Sequence, residues 1–224
     1  MSRKHNTGNE DMSQLPEVAI VLAGSGISSL QKTKDSIQEQ SYKNVVVIQN
    51  AEQPAPHFFN NLSEEYEIYG LMNPGDIFAS ENSLQIIVNK LSEKFIGGVY
   101  ADACVRHGEI NQEFYFPSHN HQTFSKLIGV FPVFFKSETM QDKSLDENLQ
   151  HLYGHDILVK ISNSFIISHI PQLLFYLVSR QIDIQEDINY LSSINFLISI
   201  LFPDDNFTRY IPEGKCFAFQ LTSC

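Results

Sequence analysis

The fold is decided by the stretch Leu71–Phe78, which reads LMNPGDIF and completes a mostly apolar run that begins at Ile68. The run Ile68–Met72 predicts a buried strand, and the Asn-Pro-Gly turn ends it because proline and glycine interrupt strands. The turn places one acid, Asp76, just after the strand. Ligands of open α/β proteins bind at the carboxyl ends of strands. Asp76 is therefore a candidate ligand contact, although such an acid can also bond within its own turn or cap the next helix.

Strand and helix patterns alternate on the N-terminal side of this stretch. The run Val18–Ala23 is continuously apolar, as expected of a parallel strand buried on both faces, and Val45–Ile48 repeats the pattern. Between the two runs, Ser28 and Gln31 have the spacing of a capping box and predict a surface helix. The chain therefore opens as strand, helix, strand.

The same alternation continues after the Asp76 turn. Apolar residues recur at helical spacing over Leu84–Phe95, which predicts a helix, and Gly97 and Gly98 are expected to end it. The segment Val99–Val105 predicts a fourth strand, and Glu113–Phe116 predicts an antiparallel return strand. The sheet is therefore expected to become mixed at this point.

Later segments add further strands and a helix. The apolar run Val130–Phe135 and the segment Phe165–Ile170 predict strands, the second of them ended by Pro171, and Asp156–Ser162 predicts a helix. The order of elements favours an α/β domain with a mostly parallel, mixed central sheet flanked by helices.

Composition excludes several classes of function. A net charge of −11 disfavours nucleic acid or an anionic membrane as a partner, because both are polyanions. The three cysteines, Cys104, Cys216 and Cys224, include no Cys-x-x-Cys pair, which argues against a disulfide framework or a cysteine zinc site and favours the cytoplasm.

The length of the chain predicts one large domain with two extensions. Residues 1–15 are polar and predict a mobile tail, residues 16–180 predict the domain, and residues 181–224 predict a helical extension packed on it. The apolar run Tyr190–Phe202 is too short to span a bilayer and predicts a buried helix. Peripheral docking on a membrane or on a partner protein is the alternative.

Two other motifs give little information about function. The loop Gly24–Gly26 reads GSG and lacks the third glycine of a dinucleotide site, the Gly-Lys-Ser of a P-loop and the Gly-x-Ser-x-Gly elbow of a hydrolase. A backbone contact to a phosphate or ribose remains open for this loop. His119 and His121 lack an evident third ligand, which favours solvent exposure over a metal site.

Several segments together resemble one known family, the family-two glycosyltransferases with the GT-A fold. Pro16–Val21 and Ser36–Ile48, which read PEVAIV and SIQEQSYKNVVVI, are similar to the family's V-S-V-I-I-P-T-Y-N and S-I-L-x-Q-T-Y-x-N-x-E-I-I-V-V-D-D. Leu71–Phe78 is similar to L-D-A-D-D-x-W or to its variant L-N-x-G-D, Val99–Asp102 to V-Y-G-D, and Gly154–Leu158 to x-E-D-Y-D-L. The later family segments are matched by Ile128–Lys136, Leu145–Leu149 and His169–Leu174.

The resemblance implies a GT-A-like fold and transfer of a sugar, with inversion, from a UDP- or GDP-sugar to a glycan or lipid-linked acceptor. A divalent cation, Mn²⁺ or Mg²⁺, would neutralise the diphosphate leaving group, and Asp76 would hold it. Asp156 would act as the general base, unless it serves only the dipole of its own helix. Asp102 would lie near the donor, unless it is a hairpin acid without a role. The donor-binding residues implied are Ala23, Gly24, Asn50, Asn73 and Asp102.

The chain also departs from the family pattern. Asn50 stands where an acid usually meets the nucleoside, Asn73 and Gly75 stand where two acids usually precede Asp76, and His155 stands where a glutamate precedes the base. These changes predict weaker metal binding or none. They leave open a catalytically degenerate binding or assembly module of the same fold, and more weakly a nucleotidyltransferase. They also leave the oligomeric state open.

Overall fold

A computed structural model describes residues 15–23, 27–50, 65–107, 110–114, 127–128, 132–141, 143–146, 153–178 and 219–220. The helices are α1 (Ile27–Gln38), α2 (Ser83–Leu91) and α3 (Tyr153–Ser162), and Ser137–Met140 forms a 3₁₀ turn. The strands are β1 (Val18–Ala23), β2 (Val45–Asn50), β3 (Ile68–Met72), β4 (Ile77–Phe78), β5 (Ile96–His107), β6 (Ile110–Phe114), β7 (Leu127–Ile128), β8 (Val133–Lys136), β9 (Ile166–Val178) and β10 (Phe219–Gln220).

The main sheet has the strand order β2-β1-β3-β8-β5-β9-β4, and β6 pairs with the far part of β5. Strand β1 is parallel to β2 and β3, and β5 is parallel to β9. The strands β8, β4 and β6 join their neighbours in antiparallel fashion. The prediction of a mixed central sheet is confirmed. Since β8 is antiparallel to both β3 and β5, the strands β1, β2, β3 and β5 all run toward the same edge of the sheet.

Helices cover both faces of this sheet. On one face, α1 and α2 pack through Ile37, Leu84, Ile87, Val88 and Leu91. On the other face, α3 packs through Tyr153, Ile157, Leu158 and Ile161. Successive residues of a strand point to opposite faces, so both faces of β1 need apolar side chains. The continuous apolar run of β1 is explained by this three-layer arrangement.

The second predicted helix ends earlier than its pattern indicates. Helix α2 stops at Leu91, and Phe95 lies in a turn at φ 74° with 64% of its surface exposed. Gly97 and Gly98 belong to β5 rather than to a helix stop. A Cβ built on Gly97 would lie 2.5 Å from the Cβ of Phe165, so this glycine is present because β5 passes close to the segment after α3.

Strand β9 continues through the proline that was expected to end it. Ala101 pairs with Ile170 whereas Asp102 pairs with Leu173, so Pro171 and Gln172 form a bulge. Proline has no backbone N–H for the ladder, and a bulge is one of the few places where a sheet accepts it. The prediction that Pro171 ends the strand is therefore wrong.

Smaller differences concern element boundaries. Helix α1 begins at Ile27, which puts Ser28 inside the first turn, and the return strand β6 begins at Ile110. Tyr190–Phe202 lies outside the described residues, as do His119 and His121. No helix in the described part of the chain is long and apolar enough to cross a membrane.

Candidate active site

One row of paired residues runs across the sheet and defines the level of the site. The row contains Ile48, Val21, Leu71, Val133, Tyr100 and His169, each paired with the next. Two positions further along β2, β1, β3 and β5, which are four of the five strands that run toward the same edge, lie Asn50, Ala23, Asn73 and Asp102. We call these four positions the site row.

The site row brings together four of the five residues implied to bind the donor. Ala23 and Asn50 are direct partners at the ends of β1 and β2. Asn73 follows Met72, the partner of Leu22, and so continues the row beyond β3. Gly24, the fifth residue, lies outside the described residues. Residues far apart in sequence therefore meet at one edge, where α/β folds bind ligands.

Asp102 belongs to the site row because β8 pairs with both β3 and β5. Val133 pairs with both Leu71 and Tyr100, which sets β3 and β5 at the same height. Strand β8 begins at Val133. No described residue of β8 is therefore paired at the level of Asn73 and Asp102. The two side-chain positions flank the end of β8.

Asp102 forms a close pair with an imidazole that sequence reasoning missed. Oδ1 of Asp102 lies 2.7 Å from Nε2 of His169, and the two side chains are 5% and 6% exposed. The His169 ring also stacks on Tyr100, with ring centroids 5.1 Å apart. The pKa of the Tyr100 hydroxyl is raised, mainly because the group is buried and secondly because Asp102 is close to it. The only sequence signal was the position of His169 just before the Ile170-Pro171 segment.

Asp76 is buried within its own turn. It is 3% exposed, and its Oδ2 accepts the backbone N–H of Asn73 at 3.2 Å, while its own N–H donates to the Asn73 carbonyl at 3.0 Å. The turn-stabilising role considered for this acid is therefore present. The role of Asp76 as a metal ligand stays a prediction.

The turn explains why position 75 carries a glycine. Gly75 has φ 104°, a conformation that L-residues rarely adopt, and its N–H donates to Oγ1 of Thr33 at 2.7 Å. Thr33 is fully buried on α1. An acid at position 75 would be strained by this backbone geometry.

Asp156 lies in the first turn of α3 and is held from two sides. Its Oδ2 accepts the backbone N–H of Asp146 at 2.9 Å and contacts Nζ of Lys160 at 2.6 Å. The first contact ties the segment 143–146 to α3. Lys160 was also missed, although its i,i+4 spacing from Asp156 is a recognised signal for such pairs.

The turn after β3 is the predicted location of the divalent metal ion. Among the residues that the structure describes, no three of His, Cys, Asp and Glu cluster in the manner of a metal site. The turn after β3 offers one carboxylate, Asp76, with the amide of Asn73 nearby. This donor set fits a hard divalent ion only if the ion takes most of its ligands from phosphate oxygens and water, as Mg²⁺ often does.

A groove of about 450 Å³ lies away from the site row. It is lined by Ser36, Glu39, Gln40, Phe78, Ala79, Ser80 and Glu81. The Gln40 amide donates to the Ser80 carbonyl and accepts the N–H of Leu84, and Ser36 accepts the N–H of Phe78. These bonds join α1, β4 and α2. The polar residues that line the groove therefore have a structural role in holding these elements together.

Comparison with known proteins locates the fold. No protein-family model and no curated protein matches the sequence. The structure is similar to S. aureus TarS 1–349 in complex with UDP-GlcNAc, with a TM-score of 0.60, 10% identity, and coverage of 86% of this chain and 68% of that one. It is also similar to the mannosyltransferase PcManGT from Pyrobaculum calidifontis in complex with GDP-Man and Mn²⁺, with a TM-score of 0.57, 11% identity, and coverage of 88% and 67%. The chain therefore has a GT-A-like α/β fold, as the resemblance in sequence implied.

Proposed function

We propose that this chain is a glycosyltransferase that moves a sugar, with inversion, from a UDP- or GDP-sugar to a glycan or lipid-linked acceptor. The site row is the main observation that supports this proposal. Asn50, Ala23, Asn73 and Asp102 lie side by side along one edge of a GT-A-like sheet, and the two similar structures hold UDP-GlcNAc and GDP-Man. In this proposal the nucleoside lies over β2 and β1, near Asn50 and Ala23, and the diphosphate lies near the turn after β3.

The proposed chemistry assigns a role to Asp156, Lys160 and Asp76. The acceptor hydroxyl attacks the anomeric carbon while the bond from that carbon to the phosphate oxygen breaks. The hydroxyl proton passes to the Asp156 carboxylate, and the nucleoside diphosphate leaves. Lys160 and the N–H of Asp146 hold Oδ2 of Asp156 in place for this role. A bound divalent ion would neutralise charge on the diphosphate, with Asp76 as its protein carboxylate.

The same proposal includes the domain organisation of the chain, its location in the cell and its assembly. In this proposal residues 16–180 are the transferase domain, residues 1–15 are a tail and residues 181–224 are an extension, although the described part of that extension, Phe219–Gln220, is the strand β10 rather than a helix. The protein acts in the cytoplasm in polysaccharide biosynthesis, with contact to a membrane surface where the acceptor is lipid-linked. Assembly into an oligomer is compatible with this setting.

Calorimetric titration with UDP-GlcNAc and GDP-mannose, each with and without Mn²⁺, tests the proposal. We expect one donor to bind and Mn²⁺ to strengthen the binding. Asp76→Asn retains an oxygen that can accept the N–H of Asn73, so it should preserve the turn while removing the effect of Mn²⁺. Asp35→Asn on the exposed face of α1 is the matched control and should leave binding unchanged. Failure of both donors to bind contradicts the proposal.

A degenerate module of the same fold is the second candidate, and the geometry of Gly75 favours it. The turn disfavours an acid at position 75, so the usual pair of metal-binding acids is not readily completed there. Release of UDP or GDP, measured with and without added acceptor, separates the two functions. Donor binding without any turnover, unchanged in Asp156→Asn, indicates the module.

A further inference from the structure

We propose that His169 is a positioning residue that holds the Asp102 carboxylate toward the sugar of the bound nucleotide-sugar. This inference rests on the proposed function and assigns a role to one pair within the site. The carboxylate would accept hydrogen bonds from sugar hydroxyls, and the imidazole would keep it oriented.

The geometry of the pair supports this role. Nε2 of His169 and Oδ1 of Asp102 lie 2.7 Å apart, and in the tautomer that carries its proton on Nε2 the imidazole donates to the carboxylate oxygen. The stacking of the ring on Tyr100 restricts rotation of the imidazole.

The bulge in β9 lies directly after the pair, beside the site row. His169 is the partner of Tyr100, one pair before Ala101 and Ile170. Beyond that pair, Pro171 and Gln172 leave the ladder, and Leu173 is the residue opposite Asp102. His169 therefore reaches Asp102 along the sheet rather than across from it. Bulges are frequent beside active sites.

Stability alone does not explain such a pair. Val99, Ala101, Ala103 and Cys104 on the same strand are buried and apolar or weakly polar. Burying an acid and an imidazole sacrifices the hydration of both groups, and well-packed apolar residues of similar volume are often as stable. A buried acid and imidazole at the site row are therefore better explained by ligand contact than by packing.

The position of β5 in the sheet indicates which part of the donor Asp102 meets. Strands β3 and β5 are separated by β8, and neighbouring strands lie about 4.8 Å apart, so Asp102 lies roughly 10 Å from Asn73 along the row. In the proposed arrangement the nucleoside covers β2 and β1 and the diphosphate lies at the β3 turn. The sugar is the part of the ligand that extends toward β5.

The test compares the whole donor with its nucleotide alone. UDP-GlcNAc and UDP, and GDP-mannose and GDP, are titrated calorimetrically with Mn²⁺ into the full chain and its variants. We expect His169→Leu to weaken binding of the nucleotide-sugar about tenfold or more and to leave the nucleotide within about twofold. His169→Gln should recover most of the affinity, because its amide nitrogen occupies nearly the place of Nε2. His169→Asn, whose amide is too short to reach Oδ1, should behave like His169→Leu.

Controls separate positioning from general loosening of the core. Ile167→Val removes one methylene from the same buried strand, and it should lower the melting temperature without changing either affinity. If His169→Leu fails to fold, the comparison of His169→Gln with His169→Asn decides the question. Equal loss for nucleotide and nucleotide-sugar overturns the inference, as does no loss in either the Leu or the Asn variant. If the unmodified protein binds neither donor, the proposed function falls and this inference with it, whereas normal donor binding by His169→Leu overturns this inference alone.

Discussion

Nζ of Lys160 lies 2.6 Å from Oδ2 of Asp156, one helical turn earlier on α3. The Asp156 side chain is 8% exposed and that of Lys160 is 26% exposed, so the pair is partly removed from water. The same carboxylate oxygen accepts the N–H of Asp146. Lys160 thus helps to fix both the proposed base and the segment 143–146 that approaches it.

Removal of Lys160 should therefore destabilise the fold. We expect Lys160→Met to lower the free energy of unfolding by about 1–2 kcal/mol, between the values typical of exposed and of fully buried pairs. Urea unfolding measures the change. Lys90→Met is the matched control, because Lys90 and Glu93 form a more exposed pair at 2.9 Å that should contribute less than about 0.5 kcal/mol. Equal effects of the two substitutions would contradict the expected burial effect.

A second acid at the β3 turn should strengthen metal binding. Asn73→Asp places a carboxylate next to Asp76 and keeps the backbone N–H that Asp76 accepts. We expect the affinity for Mn²⁺ to rise about tenfold, which corresponds to about 1.4 kcal/mol, as measured by titration of the ion in the presence of UDP or GDP. An affinity for Mn²⁺ no higher than that of the unmodified protein contradicts the proposed location of the metal.

Gly75→Asp is the contrasting substitution at the same turn. The φ of 104° at this position strains an L-residue, so this variant should lose about 1–2 kcal/mol of stability. Thermal unfolding of the two variants distinguishes them. If Gly75→Asp is as stable as Asn73→Asp, backbone strain is not the reason for the glycine.

The strands and the edge of the site could be predicted from sequence because their signals are local. A run such as Val18–Ala23 requires burial on both faces, and the turn at Asn73–Asp76 uses residues that interrupt strands. The register that places Asp102 level with Asn73 depends on β8, which lies about thirty residues beyond Asp102 in the chain. Local patterns carry no information on such a register, so the site row became visible only in the fold.

The failures of prediction have tertiary causes. The helical spacing continues to Phe95, but β5 must begin at Ile96 to lie beside β8 and β9, and the chain turns before it. Pro171 was expected to end a strand, but a bulge lets β9 continue beside β5. His169 was missed because its partner, Asp102, is distant in the sequence and no local spacing links them.

Close packing at Gly97 should make it less tolerant of a side chain than Gly98. A Cβ at Gly97 would lie 2.5 Å from the Cβ of Phe165, whereas the nearest atoms at Gly98 are the ends of two flexible side chains at 3.0 Å, those of Ile167 and Leu158. We expect Gly97→Ala to cost about 2 kcal/mol and Gly98→Ala about 1 kcal/mol or less, measured by urea unfolding. The reverse order would contradict the packing described between β5 and Phe165.

Tyr42 should make stability depend on pH in the alkaline range. Its hydroxyl donates to the carbonyl of Pro16, and burial, with a smaller effect of Glu67, raises its pKa to about 12. A tyrosine in the unfolded chain titrates near pH 10. Below that pH the phenol is protonated in both states and its stabilisation is fully present. Above it the unfolded state loses the proton first, so the stabilisation falls as the pH rises toward 12.

Tyr42→Phe isolates this contribution. The substitution removes the hydrogen bond to Pro16 and should cost about 1 kcal/mol near neutral pH. Because the phenylalanine side chain cannot ionise, the difference in unfolding free energy between the two proteins should shrink from about pH 10 upward and approach zero or reverse toward pH 12. Contributions from other tyrosines and from the lysines are common to both proteins and cancel. A difference that stays constant across this range would show that the Tyr42 hydroxyl titrates alike in the folded and unfolded chain.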